Sequence, residues 1–319
     1  MKILVCDSII ASQLSTIQSA IAGEITWQVC DSSQESEIIQ QIGDATIYIG
    51  GFFTTDMAKA ARSLRFIQVP GAGLDEINLN AIGKNIIVAN TYNHERSIAE
   101  YVFMAMIALS RRVFQADSNL RRGIWDQDRY PSLRGRTIGL IGFGHIGKQI
   151  ARLAACFDMH CLAIKRTPDP ILAQEYGLIF LGDANDLPLL LERSDFVVLA
   201  APLTDSTRHL LKAEQLAHMK PTAYLINVAR ANLVDETALY DTLANHRIAG
   251  AALDVWYNYP SNNEPTLPAH LPFHTLDNVI LTPHYSNATD DTLKGRIADI
   301  TTNIQNFLNG KPLHNVVAH

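Results

Sequence analysis

The chain has 319 residues, 47% of them hydrophobic and 18% charged, and a net charge of −6, so it can hold one large or two ordinary domains around packed cores. That acidic balance argues against a nucleic-acid partner, which needs a basic surface to neutralise phosphates; the pairs Arg111-Arg112 and Arg121-Arg122 are read as solvated helix faces. No apolar run reaches the roughly 18 residues of a membrane span, and the opening MKILVCDSII turns polar too soon for a secretory leader, so a cytoplasmic protein with no membrane partner is expected.

Lys2-Ile3-Leu4-Val5 is the first predicted strand, followed by a helix over Ser12–Ile21 and a strand over Thr26–Val29. A helix over Ser33–Ile42 and strands at Ala45–Ile49, Leu64–Val69 and Ile86–Ala89 complete this part. Strands alternating with helices imply a parallel sheet, so the first 90 or so residues form a small doubly wound domain. The helix predicted over Ser97–Arg112, SIAEYVFMAMIALSRR, is apolar nearly all round and should be buried or lie at a subunit contact. A second α/β run has its first strand at Thr137-Ile138-Gly139-Leu140 and later ones at Cys161–Ile164, Phe196–Leu199, Ala223–Val228, Gly250–Val255 and Val279–Thr282. A helix over Asp290–Phe307 closes the chain at the stop signal Asn309-Gly310-Lys311-Pro312. The four cysteines, Cys6, Cys30, Cys156 and Cys161, lack companions for a metal site, and buried free thiols with no metal are expected.

The first strand of that second run leads into Ile141-Gly142-Phe143-Gly144-His145-Ile146-Gly147-Lys148, a G-x-G-x-x-G turn that enters a helix. That context is the one a dinucleotide-binding turn requires. Gly142 permits the tight turn, Gly144 lets a pyrophosphate approach the backbone, and Gly147 lets helix pack on strand; the helix N-terminus favours the phosphates. At the end of the next strand an acid would bind the ribose 2′-hydroxyl of NAD. The chain instead has Lys165-Arg166-Thr167, which can pair with a 2′-phosphate, so NADP is favoured and NAD stays possible.

Three further strands end in polar residues: Arg230 in NVARANLVDE, Asp254 in ALDVW, and His284 in LTPH. Open parallel sheets bind ligands at the carboxyl ends of their strands, so these three converge on one crevice.

With these segments the sequence resembles the D-isomer-specific 2-hydroxyacid dehydrogenase family over nearly its whole length. The motifs are RGRTIGLIGFGHIGKQIAR, DFVVLAAPLTDSTRHLL, LINVARANLVDETAL, GAALDVW and LDNVILTPH, with RRGIWDQD and the ending FLNGKPLHNVV. The resemblance implies a Rossmann-type cofactor domain inserted into a flavodoxin-like substrate domain, both doubly wound parallel-sheet α/β: residues 1–98 and 287–319 for substrate, 99–286 for dinucleotide. It also implies a homodimer formed through the cofactor domain.

The roles it implies suit the chemistry of reducing a 2-oxo acid. His284 is the general acid/base, since imidazole titrates near neutral pH. Arg230 clamps the substrate carboxylate and polarises the carbonyl. Asp254 holds the nicotinamide amide; His145, Ile146, Pro202, Leu203, Thr204, Thr207, Val228 and Ala229 line the cofactor with the three glycines. The backbone of Gly71-Ala72-Gly73 faces the carboxylate, where glycine allows close approach.

The pattern departs from the family at two places. A glutamate usually pairs with the histidine; here Tyr259 fills that slot if DVW and Pro260 align without a gap, and Glu264-Pro265 fills it if a five-residue insertion follows the strand. With Tyr259 there, the histidine lacks a charged partner, and reduction should be fastest at a lower pH than in a carboxylate-paired relative. The family's Pro-Gly is replaced near Tyr92-Asn93-His94, which either shape the pocket or pin the hinge. Two functions follow from this reading. One is a 2-oxo acid reductase for a small substrate such as glyoxylate or hydroxypyruvate. The other is a nucleotide-sensing, corepressor-like binding protein of the same fold.

Overall fold

The computed structural model describes residues 1–31, 34–260 and 264–318. By its internal packing the chain divides into two units, residues 1–93 with 289 onward, and residues 94–288. Among the described residues no helix is long and apolar enough to cross a membrane.

The first unit contains β1 (Lys2–Cys6), β2 (Thr26–Val29), β3 (Ile47–Gly50), β4 (Phe66–Gln68) and β5 (Ile87–Ala89). They are parallel in the order β2-β1-β3-β4-β5, the flavodoxin-like winding. Both faces are covered, which is why β1 and β3 are continuous apolar runs rather than alternating ones. Leu4, Tyr48, Ile67 and Val88 pack on one face. On the other, Ile3, Val5, Ile47, Ile49 and Phe66 meet Ile297, Ile300 and Ile304 of the helix Asp290–Leu308. The chain therefore returns at its end to cover the sheet that it began.

The second unit contains β6 (Thr137–Ile141), β7 (His160–Ile164), β8 (Phe180–Gly182), β9 (Phe196–Leu199), β10 (Tyr224–Asn227), β11 (Gly250–Leu253) and β12 (Val279–Leu281). Their order is β12-β11-β10-β9-β6-β7-β8, all parallel, with the reversal of strand order between β6 and β9. This is the Rossmann arrangement extended by one strand. The helix Glu95–Ser110 lies against the sheet through Ala99, Val102, Ala105 and Met106. It is not buried all round: Met104 and Ile107 are 38% and 39% exposed.

Several elements differ from the sequence reading, each for a local reason. The first predicted helix is two, Ser8–Ser12 and Leu14–Ala20, because the Asp7 carboxylate caps the N–H of Ile10 and starts a turn early. The next runs over Glu35–Gln41, and the predicted start at Ser33 lies outside the described residues. A strand β13 (Val316–Ala318) pairs antiparallel with β5 and, like β8, was not anticipated; three residues are too few to show a period. The cysteine expectation is corrected for three of four. Cys6 and Cys30, at the facing ends of β1 and β2 with Cα atoms 5.2 Å apart, are joined in a disulfide, because the parallel register of β1 and β2 brings these two ends together. Cys156 is exposed on its helix; only Cys161 is a buried free thiol.

Candidate active site

Loop geometry at the reversal of strand order is set by close backbone packing. Gly142 has φ 101°, and a Cβ there would lie 2.6 Å from the nitrogen of Ala201 in the loop after β9. Only glycine fits both demands. Gly147 sits in the first turn of the helix His145–Cys156, and its Cβ would lie 2.7 Å from the Gly142 carbonyl. Gly144 differs: a Cβ there would meet nothing within 4 Å, so its backbone borders open space at the helix N-terminus. First-turn N–H groups have no acceptor within their helix. A pyrophosphate fits this turn by shape and charge, which is the test that a dinucleotide site must pass. His145 Nδ1 stands 4.0 Å from the Glu95 carboxylate.

β7 ends at Ile164, and Lys165, Arg166 and Thr167 follow, the last two exposed. Among the described residues neither cation is held in an ion pair. The nearest acid in the chain, Asp169, spends its carboxylate on the N–H of Ile171 as a helix cap. On the other side of the reversal, Thr207 accepts from the N–H of Thr204 and donates to the Pro202 carbonyl, which closes the turn of residues 202–207.

Arg230 follows β10. Asn227, at the strand's last position and 2% exposed, folds the loop: its amide donates to the Arg230 carbonyl and its oxygen accepts from the Ala229 N–H. The guanidinium donates to the Ala229 carbonyl at 2.8 Å, and Val228 and Ala229 are buried beneath. His284 follows β12, two strands across the sheet, which separates the two strand ends by about 10 Å. From the glycine turn after β6 to β12 is four strand spacings, about 19 Å.

Tyr259 Oη lies 2.9 Å from His284 Nδ1. The main-chain N–H of Trp256 donates to the same phenol oxygen at 3.3 Å. Glu264 is exposed, and its main-chain carbonyl accepts from Thr266. Asp254 is wholly buried, one residue past β11. Its carboxylate accepts from Thr282 Oγ1 at 2.7 Å, from the N–H of Tyr285 at 3.0 Å and from the N–H of Ser286 at 2.9 Å. His284 itself has φ 55°, a left-handed conformation that costs a non-glycine residue about 1–2 kcal/mol.

In the first unit, the loop after β4 carries Gly71, Ala72 and Gly73. The carbonyls of Gly71 and Ala72 accept from the N–H of Thr91 and the amide of Asn90. A Cβ at Gly71 would meet nothing within 4 Å.

Four residues with structural work at this site were not singled out from the sequence: Asn227, Trp256, Thr282 and Tyr101. Trp256 donates its indole N–H to the Thr282 carbonyl at 2.7 Å, and Tyr101 bonds Thr282 Oγ1 at 2.7 Å. A polar residue in the last or next-to-last place of a buried strand was the available signal for Asn227 and Thr282; Tyr101, inside an apolar helix, gave none.

The family model described as "D-isomer specific 2-hydroxyacid dehydrogenase, NAD binding domain" matches residues 103–286. The chain is 34% identical to the D-3-phosphoglycerate dehydrogenase of Methanocaldococcus jannaschii over 99% of its own length, and spans 59% of that longer protein. It is 34% identical to the hydroxypyruvate reductase of Thermotoga maritima over 83% of this chain and 85% of that one. A solved structure of an acyclic imino acid reductase in complex with NADPH and D-Arg superposes with a TM-score of 0.82 at 29% identity, covering 99% of this chain and 100% of that one.

Proposed function

Because this chain belongs to the D-isomer-specific 2-hydroxyacid dehydrogenase family and is therefore a nicotinamide-dependent oxidoreductase, we propose that it reduces a small 2-oxo acid such as glyoxylate or hydroxypyruvate, with NADPH as the preferred cofactor and His284 as the proton donor. The observation that carries the proposal is the imidazole itself. It stands at a strand's carboxyl end on the same edge as the glycine turn, with Nδ1 engaged by Tyr259 at 2.9 Å. Nδ1 being so occupied, proton exchange with the substrate oxygen falls to Nε2.

When bound, the nicotinamide supplies the hydride. The glycine turn and the helix behind it would hold the pyrophosphate, and the Lys165–Thr167 segment would take the 2′-phosphate. Val228 and Ala229, with the turn of residues 202–207, would border the nicotinamide half, and the Asp254 region its amide. Arg230 binds the substrate carboxylate through its planar fork and draws electron density from the 2-oxo group. His284 Nε2–H points a donor at the oxygen on which negative charge develops, and gives up its proton as the alkoxide forms. In the reverse direction the same nitrogen accepts it. Gly71–Gly73 are proposed to offer backbone N–H groups to the carboxylate. The glycine loop and its flanks, VPGAGLDEI, carry no cation, which favours an unphosphorylated side group.

A homodimer through the second unit is part of the proposal. Phe114, Leu120 and Trp125 are 60%, 52% and 76% exposed there, a grouping that a lone soluble unit would be expected to cover.

His284→Gln and Arg230→Gln test the mechanism. Both should bind NADPH as the parent does, by fluorescence titration. His284→Gln should lose kcat by about 10²-fold or more, and Arg230→Gln should raise KM for the oxo acid. Parent-like turnover in His284→Gln would remove the histidine from the chemistry.

A further inference from the structure

We propose that Tyr101 and Thr282, acting with Asp254, are positioning residues: a buried clamp that fixes the turn carrying His284. This rests on the proposed role of His284 and adds two residues that do not touch the reacting atoms: Thr282, a motif residue with no role assigned so far, and Tyr101, which lies outside the motifs.

Directions of the hydrogen bonds follow from the groups available. A carboxylate only accepts, so Thr282 Oγ1 donates to Asp254 at 2.7 Å. The threonine has one proton, and it is thereby committed. The 2.7 Å contact between Thr282 Oγ1 and Tyr101 Oη must then be a donation from the phenol. The chain of donors runs Tyr101 to Thr282 to Asp254, and Asp254 in turn receives the N–H groups of Tyr285 and Ser286. Its contacts at residues 282, 285 and 286 bracket Pro283 and His284. Thr282 is held from its other side by the Trp256 indole, and Ser97 Oγ donates to the Ser286 carbonyl at 2.7 Å. Tyr101 also meets the ring of Tyr285 edge to face, centroids 6.0 Å apart.

The turn needs this. His284 is exposed and holds φ 55°, a conformation uncommon for any residue but glycine. Such a residue stays in place only when its surroundings over-determine it. Asp254 is 0% exposed and Tyr101 7%, so the bonds that fix the turn are sheltered from water while the imidazole is not. The site thereby separates a rigid, dry support from a wet reacting group. Helix Glu95–Ser110 enters the machinery through Ser97 and Tyr101, on its inner face.

The test uses Thr282→Val, Thr282→Ser and Tyr101→Phe in the full-length chain, with two readouts. In steady state with NADPH and hydroxypyruvate, Thr282→Val and Tyr101→Phe should lower kcat about tenfold with KM for NADPH within about twofold, and Thr282→Ser should restore most of what the valine loses. Amide hydrogen exchange, read without turnover, should speed about tenfold at Tyr285 and Ser286 in the same two variants and not in Thr282→Ser. Unchanged exchange at those amides overturns the clamp whatever the kinetics. Serine as damaging as valine overturns it as well, since shape rather than the hydroxyl would then matter. If the parent turns over no oxo acid, the proposed function fails, and the exchange measurement still decides the clamp.

Discussion

Replacing Tyr259 by glutamate puts a charge where the structure has a phenol, and the consequence can be worked out. Tyr259 Oη is 2.9 Å from His284 Nδ1, so a carboxylate in that slot would bring its centre to about 4 Å from the imidazolium. Two unit charges at that separation attract by about 1 kcal/mol in water and about 4 kcal/mol at a protein-like dielectric constant of 20. Tyr259 is 48% exposed and His284 is exposed too, so the watery end of the range applies. About 1 kcal/mol is about 0.7 of a pH unit. The protonated imidazole is the form stabilised, so Tyr259→Glu should carry the alkaline limb of the reduction profile upward by about that amount. The parent, with its uncharged partner, should lose reduction earlier as pH rises. The assay is kcat/KM for NADPH-driven reduction of hydroxypyruvate from acid to alkaline pH, parent against Tyr259→Glu. Superimposable profiles would refute the reasoning that the identity of this partner tunes the histidine.

Arg166→Ser removes a charge-assisted partner proposed for the 2′-phosphate, so KM for NADPH should rise at least tenfold while KM for NADH moves little; equal changes for both would place the phosphate elsewhere. Burial pushes the Cys161 thiol from 9.0 up to about 12. Between those values the unfolded chain gives up this proton and the folded chain keeps it, so stability falls as pH rises, by up to about 4 kcal/mol. Urea denaturation from pH 9 to 11 should therefore show a shallower loss in Cys161→Ala than in the parent. Phe114→Glu with Trp125→Glu should convert a dimer to a monomer by light scattering, with NADPH binding kept; a monomeric parent would reject that surface as the contact.

Much of this architecture is written locally in the chain. Parallel strands buried on both faces are continuous apolar runs, so β1, β3, β9 and β11 could be placed from their unbroken apolar stretches. The glycine turn was legible because its three glycines fall at fixed spacing within six residues, between a strand and a helix. The resemblance of the later motifs then pointed to Arg230, Asp254 and His284. What was not legible depends on distance along the chain. Tyr101 and Thr282 are 181 residues apart and each is ordinary in its own segment; only the packing of helix Glu95–Ser110 makes them partners. The joining of Cys6 to Cys30 likewise depends on the register of β1 with β2, which no local pattern states. Short strands such as β8 and β13 take their form from a neighbour rather than from their own side chains.

The most direct measurement is the initial rate of reduced-cofactor oxidation, NADPH against NADH, across glyoxylate, hydroxypyruvate, pyruvate and phenylpyruvate. At least one of the two smallest acids should be turned over, faster with NADPH than with NADH at limiting cofactor. Tight NADPH binding with no oxidation by any of the four would contradict the account, and would mark the chain as a sensor of nucleotide rather than a reductase.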